Sequence, residues 1–457
     1  AMITTDTKSY TTDANGYVYI RGGEAMKGTV SALGYGSNTF DFPAITNDTS
    51  HTLDVYAVVD VKFVVKGQFG AIVTGATVTC DGKSKETNLY GECILQLTKG
   101  SYDYEVIHPD HYDAKGTVNV GTSAMSVNVY MNINPIAIKP EENGNIQMML
   151  TGPSCSISVK STTADYIIDW GDGMTENASG TGSKSYPHTY GDDGLYQVEV
   201  RNCGDVTSCM ASTSCLVAYW SIGESKVYDI TFSGCYYLIY FGKDVFKNDI
   251  NRTSANYLLY NCNKLTSVDL TPLSGWVNVT SAYSLLSGCY GLTSVDLTPL
   301  SGWVNVTNAG VLLNGCYNLT SVDLTPLSGW VNVTNAYGLL SGCDKLTSVD
   351  LTPLSGWVNV TNADSLLNGC YGLTSVDLTP LSYWTKMMNN SGLISSCGSL
   401  AFVSVLSTTP FPLSSGALTN GNSCPIYVPD DAVDTYKTAT NWSAYASRIK
   451  PISEKAS

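Results

Sequence analysis

The stretch LTSVDLTPLSGWVNVTSAYSLLSGCYG, Leu265 to Gly291, returns in near-copies from Leu292, Leu319, Leu346 and Leu373, each beginning 27 residues after the last. A fixed period in the twenties with Leu-x-x-Val-x-Leu spacing predicts a repeat solenoid. Cysteines carry the ruler beyond the clear copies: Cys235, Cys262, Cys289, Cys316, Cys343, Cys370, Cys397 and Cys424 all keep the register. One rung cannot bury its own apolar residues, so neighbours must share a continuous core.

Outward from that block, 457 residues are ample for several structural units. Charge is sparse, 14% of residues, and acidic, with a formal net of -15. That composition argues against nucleic acid, which needs clustered Lys and Arg, and against an anionic membrane surface. Tyrosine is abundant at 30 residues, a composition that suits binding surfaces. No apolar run is long enough to span a bilayer. There is no signal peptide, but Ala1-Met2 reads as a cloning remnant, which leaves export open. The eight ladder cysteines read as buried free thiols packing as small hydrophobes. Of the other six, Cys80 and Cys93 are candidates for a pair across neighbouring strands, and pairing within Cys203, Cys209 and Cys215 stays open.

Residues 1 to 134 alternate apolar and polar positions between Gly, Asn and Asp turns, which predicts β modules. Ile3–Ile20 aligns with Val78–Leu95, so the modules are tandem copies, 1–58 and 59–134. Val61–Ala76 has no counterpart in the first copy, which predicts an open or borrowed sheet edge there. They resemble the carboxypeptidase-regulatory-like, immunoglobulin-like spacers of bacterial surface proteins. From 135 to 204, Asp169-Trp170-Gly171-Asp172-Gly173, then His188, Tyr190, Gly194 and Tyr196, resembles a PKD domain, a β-sandwich spacer. Gly171 and Gly173 supply positive φ, and Asp172 is placed to bond back to the turn amides. The solenoid is expected over 205–425 and a cap over 426–457, with a helix opening at Pro429-Asp430-Asp431 and stopping near Asn441. The fold class is therefore mostly β: tandem sandwich modules, a leucine-rich-repeat solenoid and a small helical cap.

The unit GCYNLTSVDLTPLSGWVNVTNAYGLLSGC is similar to the repeat of BspA-like leucine-rich-repeat surface proteins, and the ending IYVPDDAVDTYKTATNWSAYASRIKP resembles their closing segment. Where that family carries Met-x-x-Met-Phe before Cys, this chain has Ala-x-x-Leu-Leu of similar volume. The resemblance implies surface display and adhesion and fixes no ligand.

Exposed positions carry the functional candidates. Alternation puts Val268 and Leu270 inward and Ser267 and Asp269 outward on a concave sheet, so stacking builds a carboxylate ladder of Asp269, Asp296, Asp323, Asp350 and Asp377. It would bind cations, calcium among them, or a basic partner; otherwise flanking hydroxyls and solvent screen it. The ladder Trp276, Trp303, Trp330, Trp357 and Trp384 is either a sugar platform or core cover. Copies differ at Tyr283, Gly310, Tyr337 and Asp364, and at Tyr290, Tyr317, Asp344 and Tyr371. Such tyrosines suit glycan or protein contact, unless they mark drift at unconstrained positions. Asn278, Asn305, Asn332 and Asn359 open Asn-Val-Thr sequons, read as a turn-side ladder of Asn and Thr hydrogen bonds. His108-x-x-His111 is half a metal site at most, since Pro109 bars a helix and no acid or cysteine completes it. No catalytic motif appears, so no enzyme is expected. The reading is an extracellular or cell-surface binding protein with a protein or glycan of a host or neighbouring cell as partner. Two others stay open: a virion appendage of a phage of gut bacteria, or the accessory region of a larger secreted enzyme.

Overall fold

The computed structural model describes residues 1–457 except 6–7, 15–17, 19–25, 34, 43–50, 53–56, 68–69, 135–145, 163–164, 179–180, 192–193, 204–205, 222–229, 247, 420–423 and 456–457. The chain is mostly β and divides into two compact units, 1–139 and 140–457.

In the first unit, β1 (Met2–Thr5), β2 (Ser9–Thr11), β3 (Met26–Ser31) and β4 (Asn38–Phe42) form one sheet in the order β2-β1-β3-β4. The second half supplies β5 (Val59–Gly67), β6 (Thr77–Cys80), β7 (Lys83–Glu86), β8 (Glu92–Leu97), β9 (Gly100–Ile107), β10 (Ala114–Val120) and β11 (Met125–Met131). Its larger sheet runs β7-β6-β9-β10, the same topology as the first half, as the internal sequence match requires. The extra segment Val61–Ala76 contributes β5, which sits between β11, paired parallel, and β8, paired antiparallel. Alternation works here: Val61, Phe63 and Val65 are fully buried between the two sheets. Apart from Val18, the first copy's counterpart of β8, where an open edge was expected, lies outside the described residues. Cys80 and Cys93 fall on different sheets and stay free thiols, as do all fourteen cysteines.

The second unit opens with a sandwich. β12 (Ile146–Thr151), β14 (Tyr166–Asp169), β15 (Thr175–Ala178), β17 (Leu195–Arg201), β19 (Leu216–Ser221) and β20 (Tyr240–Phe241) make one sheet; β13 (Ser154–Ser161), β16 (Gly182–Thr189) and β18 (Val206–Ala211) make the other. Position 204 is thus not its boundary. β18 and β19 complete the two sheets, and β20 adds a parallel edge onto β19. The Asp-Trp-Gly-Asp-Gly turn forms as read, with Met174 N–H donating to Asp172 at 3.0 Å and Gly171 N–H to Asp169 at 3.1 Å. Gly171 has φ +77°, and a Cβ there would lie 2.3 Å from the Gln197 carbonyl oxygen. His188 stacks on Trp170 at 4.4 Å and bonds Asp172 at 2.8 Å, tying strand to turn.

The 27-residue copies then stack in parallel, bridged in sequence at Ser254, Ser281, Asn308, Asn335, Asn362 and Asn389. Leucines 265, 270, 273, 285 and 286 of the first copy, and their equivalents in the next, are at most 1% exposed. Their core is continuous with that of the sandwich before them and the cap after them. One expectation changes here. Among the described residues, Leu265–Leu270 and its next three counterparts form no regular strand; only the last copy does, as β21 (Ser375–Asp377). That strand continues through β22 (Phe402–Ser404), β23 (Ile426–Val428) and β24 (Ile449–Pro451) as a parallel sheet. Between earlier rungs the bonds concentrate at the opposite turn: Ala282, Ser284, Leu286 and Gly288 each donate to the next copy. The cap holds α1 (Val433–Thr438), preceded by a 3-10 turn at Asp430–Ala432, with Asn441 at φ +62°.

Candidate functional site

Repeated side chains of several kinds run in columns along the stack, and each kind has a distinct role. The tryptophans are core. Trp303, Trp330, Trp357 and Trp384 are fully buried, with successive rings 6.1 to 6.3 Å apart and nearly parallel. Each of the four donates its indole N–H to a leucine carbonyl of the preceding rung, at 2.9 to 3.2 Å. Burial rules out the sugar platform, since a ligand cannot reach the ring faces. Trp276 opens the column under the Arg252 guanidinium, 4.9 Å from its ring centre. Its indole nitrogen lacks a partner among the described residues.

The aspartates are exposed as expected but are already engaged. Asp269, Asp296, Asp323, Asp350 and Asp377 each accept the backbone N–H two residues on, at 2.8 to 2.9 Å. They close the turn into the short 3-10 segment that begins Thr-Pro-Leu, where proline fixes φ. Bonds from the Thr298 hydroxyl and then its amide hold the Asp296 carboxyl below its ordinary value. Thr325 does the same for Asp323, and the charge of Asp296 raises it only as a lesser contribution.

The tyrosines form two groups. Tyr290 and Tyr317 stack ring on ring at 4.7 Å while 39% and 43% exposed. Asp344 continues their register, and Tyr371 follows it at 55% exposed. Burial, followed by Tyr290 and Asp344, pushes the Tyr317 hydroxyl up. In the other register Tyr283 is half-buried and meets Tyr257 edge-on at 5.5 Å, whereas Tyr337 is exposed. Gly310 separates them, and a Cβ there would come within 3.1 Å of the Tyr283 ring.

The sequon residues form the Asn and Thr ladder that their spacing predicts. Asn305, Asn332 and Asn359 each donate a side-chain N–H to a valine carbonyl of the preceding rung, at 3.0 to 3.1 Å. Thr280, Thr307, Thr334 and Thr361 bond backbone to backbone at 2.8 Å and also hydroxyl to carbonyl. Side by side these two columns floor an open groove of about 860 Å³, ending at Lys386. The sequence reading treated the ladder as structural and missed the groove; the signal was one Lys where every earlier copy has Asn.

His108 and His111 bond each other through Nδ1 at 3.1 Å. Burial, then the neighbouring His108, pushes His111 down to about 4. No group of three metal-ligating side chains occurs among the described residues. No helix is long and apolar enough to cross a membrane among them.

No protein-family model and no curated protein matches this chain. Among solved structures it shows slight similarity to the Bacillus anthracis TIE protein, at 13% identity and TM-score 0.18, over 38% of this chain and 37% of that one. A Streptococcal ancillary pilin aligns at 15% identity and TM-score 0.17, over 40% and 64%. The Bacteroides ovatus mixed-linkage glucan utilization locus SGBP-B, solved with a mixed-linkage heptasaccharide, aligns at 10% identity and TM-score 0.08, over 44% and 66%. This chain thus spans less than two thirds of each, and likeness at this level identifies neither fold nor ligand.

Proposed function

We propose that this is a non-enzymatic, extracellular ligand-binding protein in which β-sandwich modules, the last PKD-like, hold out a leucine-rich-repeat solenoid of BspA-like type. The solenoid contacts a protein or glycan on another cell. The observation that carries the reading is the Tyr290–Tyr317 pair, stacked at 4.7 Å and left open to solvent. Its rungs are already filled by leucine, cysteine and tryptophan, so packing does not need these rings. Stacked tyrosines present a broad, rigid amphipathic surface with little rotamer freedom to lose, the property that makes them binding anchors.

The test is capture of host and bacterial cell-surface proteins and glycans by the immobilised chain, repeated with a Tyr290→Ser, Tyr317→Ser double variant. Anchor aromatics contribute about 2 kcal/mol each when truncated, which corresponds to roughly thirtyfold in affinity. Capture that falls at least tenfold with melting behaviour unchanged supports the reading. Equal capture by both proteins removes the tyrosines from the site.

A further inference from the structure

We propose that the Asn and Thr groove between Thr253 and Lys386 is a track for an extended, uncharged polysaccharide, occupied at about one sugar per rung. It rests on the reading that the stack binds ligands, but places the ligand on side chains other than the tyrosines.

Three observations converge on that ligand. The first is the state of the asparagines. One side-chain N–H of Asn305 and one of Asn332 donate to the preceding rung, which orients each amide and leaves Oδ1 as the side chain's acceptor. The second is what the chain itself puts on such an oxygen. In the last rung Lys386 replaces asparagine, and its ammonium donates to Asn359 Oδ1 at 2.6 Å. A donor lying over the next rung can therefore reach this atom. One rung earlier in each case, Asn278, Asn305 and Asn332 offer the same oxygen to a donor from outside.

The third is charge and spacing. Of the residues lining the groove only Lys386 is charged, and Asn359 already holds it. Such a floor of amides and hydroxyls favours a neutral, hydroxyl-rich chain over phosphate, sulfate or carboxylate polymers. Rungs one strand apart repeat at about 4.8 Å, so the acceptors form a straight row of roughly that spacing. Same-side N–H groups of an extended peptide recur every two residues, at about 6.8 Å, and drift out of register within two rungs. A pyranose ring with its bridging oxygen advances by roughly one rung. Successive rings of an extended chain such as cellulose turn over, so neighbouring rungs meet opposite ring edges, but both edges carry hydroxyls and each unit brings a donor to its rung. A linear, extended glycan keeps the register; a coiled one does not.

The register of Lys386 also supplies the variant. Asn305→Lys repeats, in the middle of the track, the substitution the fold already carries at its end, with Asn278 in the place of Asn359. The new ammonium would bond Asn278 Oδ1, as Lys386 bonds Asn359, and the substitution removes the Asn305 acceptor, so two of the three open acceptors are closed; the thermal transition, read alongside, is expected to be unchanged. Binding is followed by calorimetry on the full chain with cellohexaose, which is extended, maltohexaose, which coils, and an uncharged Thr-Gly repeat peptide. We expect cellohexaose to bind, maltohexaose and the peptide to bind at least tenfold more weakly, and the Asn305→Lys variant to lose cellohexaose at least tenfold while the Tyr290→Ser, Tyr317→Ser protein keeps it.

Absence of cellohexaose binding by the native chain overturns the track, as does equal binding of the two hexaoses or preference for the peptide. Loss of cellohexaose with the tyrosine variant and not with the lysine variant moves the glycan to the other face. In that case the surface-binding reading survives and the groove assignment does not. Cell-surface capture that depends on the tyrosines, without any oligosaccharide binding, separates the two in the same way.

Discussion

Asp323 lies one rung from Asp296, and mutual repulsion would by itself make both carboxylates harder to ionise. The Thr325 hydroxyl and amide outweigh that repulsion and hold Asp323 below the ordinary carboxylate value. A carboxyl depressed in the folded state contributes stability that is present above its unfolded value, about 3.9, and is lost as pH falls through the folded value. Asp323→Asn retains an acceptor for the amide but gives up the charge that strengthens both bonds. The variant should therefore melt below the native protein near neutral pH, and the gap should close as the pH is lowered below about 4. Melts across that range check it; a variant more stable at neutral pH would mean that repulsion between rungs dominates. A melting-temperature rise with added calcium that Asp323→Asn abolishes would give the ladder a cation-binding role. The position itself was legible, since alternation exposes it. Its job was not, because the deciding signal is the Asp-x-Thr-Pro spacing of a turn and not the periodicity of the rung.

At the scale of a rung, the columns were readable wherever a side chain recurs, because identical residues at one register must meet identical environments. Cysteine shows how far this goes. The ladder thiols are buried as read, and each from Cys262 to Cys397 also donates to a carbonyl 30 residues back, at 3.1 to 3.4 Å. Hydrogen bonding between backbones left less trace. Leu-Thr-Ser-Val-Asp-Leu has the alternation of a strand, yet the denser ladder runs through the Ala-x-x-Leu-Leu turn. That turn requires left-handed backbone twice per rung. Ser284, Val311, Gly338 and Ser365 take φ of +49° to +57°, and the residue before cysteine takes +57° to +75° from Gly234 to Ser396. In the second register Gly288 and Gly315 differ in what they tolerate. A Cβ on Gly288 would lie 2.0 Å from Asn261 Oδ1, whereas at Gly315 the nearest atom is 3.6 Å away. Asn261 therefore already shows an asparagine lying over a glycine of the next rung, and Gly315→Asn repeats that arrangement over Gly342. We expect Gly315→Asn to change stability by no more than about 0.5 kcal/mol and Gly288→Ala to cost about 1 to 3 kcal/mol. Urea titrations of the two variants check this, and equal losses would show that backbone φ alone sets the cost.

Across the whole molecule, the apolar cores are separate. In the first unit a small cluster of Ile3, Val30 and Phe40 stands apart from a larger one that joins Val59 to Met131, and in the second a single core runs unbroken from Ile146 through every rung to Ile449. A continuous core couples neighbouring rungs, so the sandwich, stack and cap should lose structure together, while the first unit answers to its own smaller cores. The cysteines report on both without any label being added. Cys80 and Cys93 belong to the first unit, and the other twelve to the second. All fourteen are buried, which shields them from the reagent, and burial pushes Cys93 up to about 11 and Cys289 and Cys343 up to about 12, so thiolate is scarce at those three; Cys215 goes the other way, lowered first by its bond with Cys155, and is protected by burial alone. Maleimide labelling along a urea gradient, read by mass, should add two labels in one transition and twelve in another, with the ladder thiols released as a group. Labels appearing one rung at a time would mean that the stack frays from its ends. Labelling of Cys316 or Cys343 in the absence of urea would overturn the packing of the column itself, because those thiols can be reached only by separating adjacent rungs.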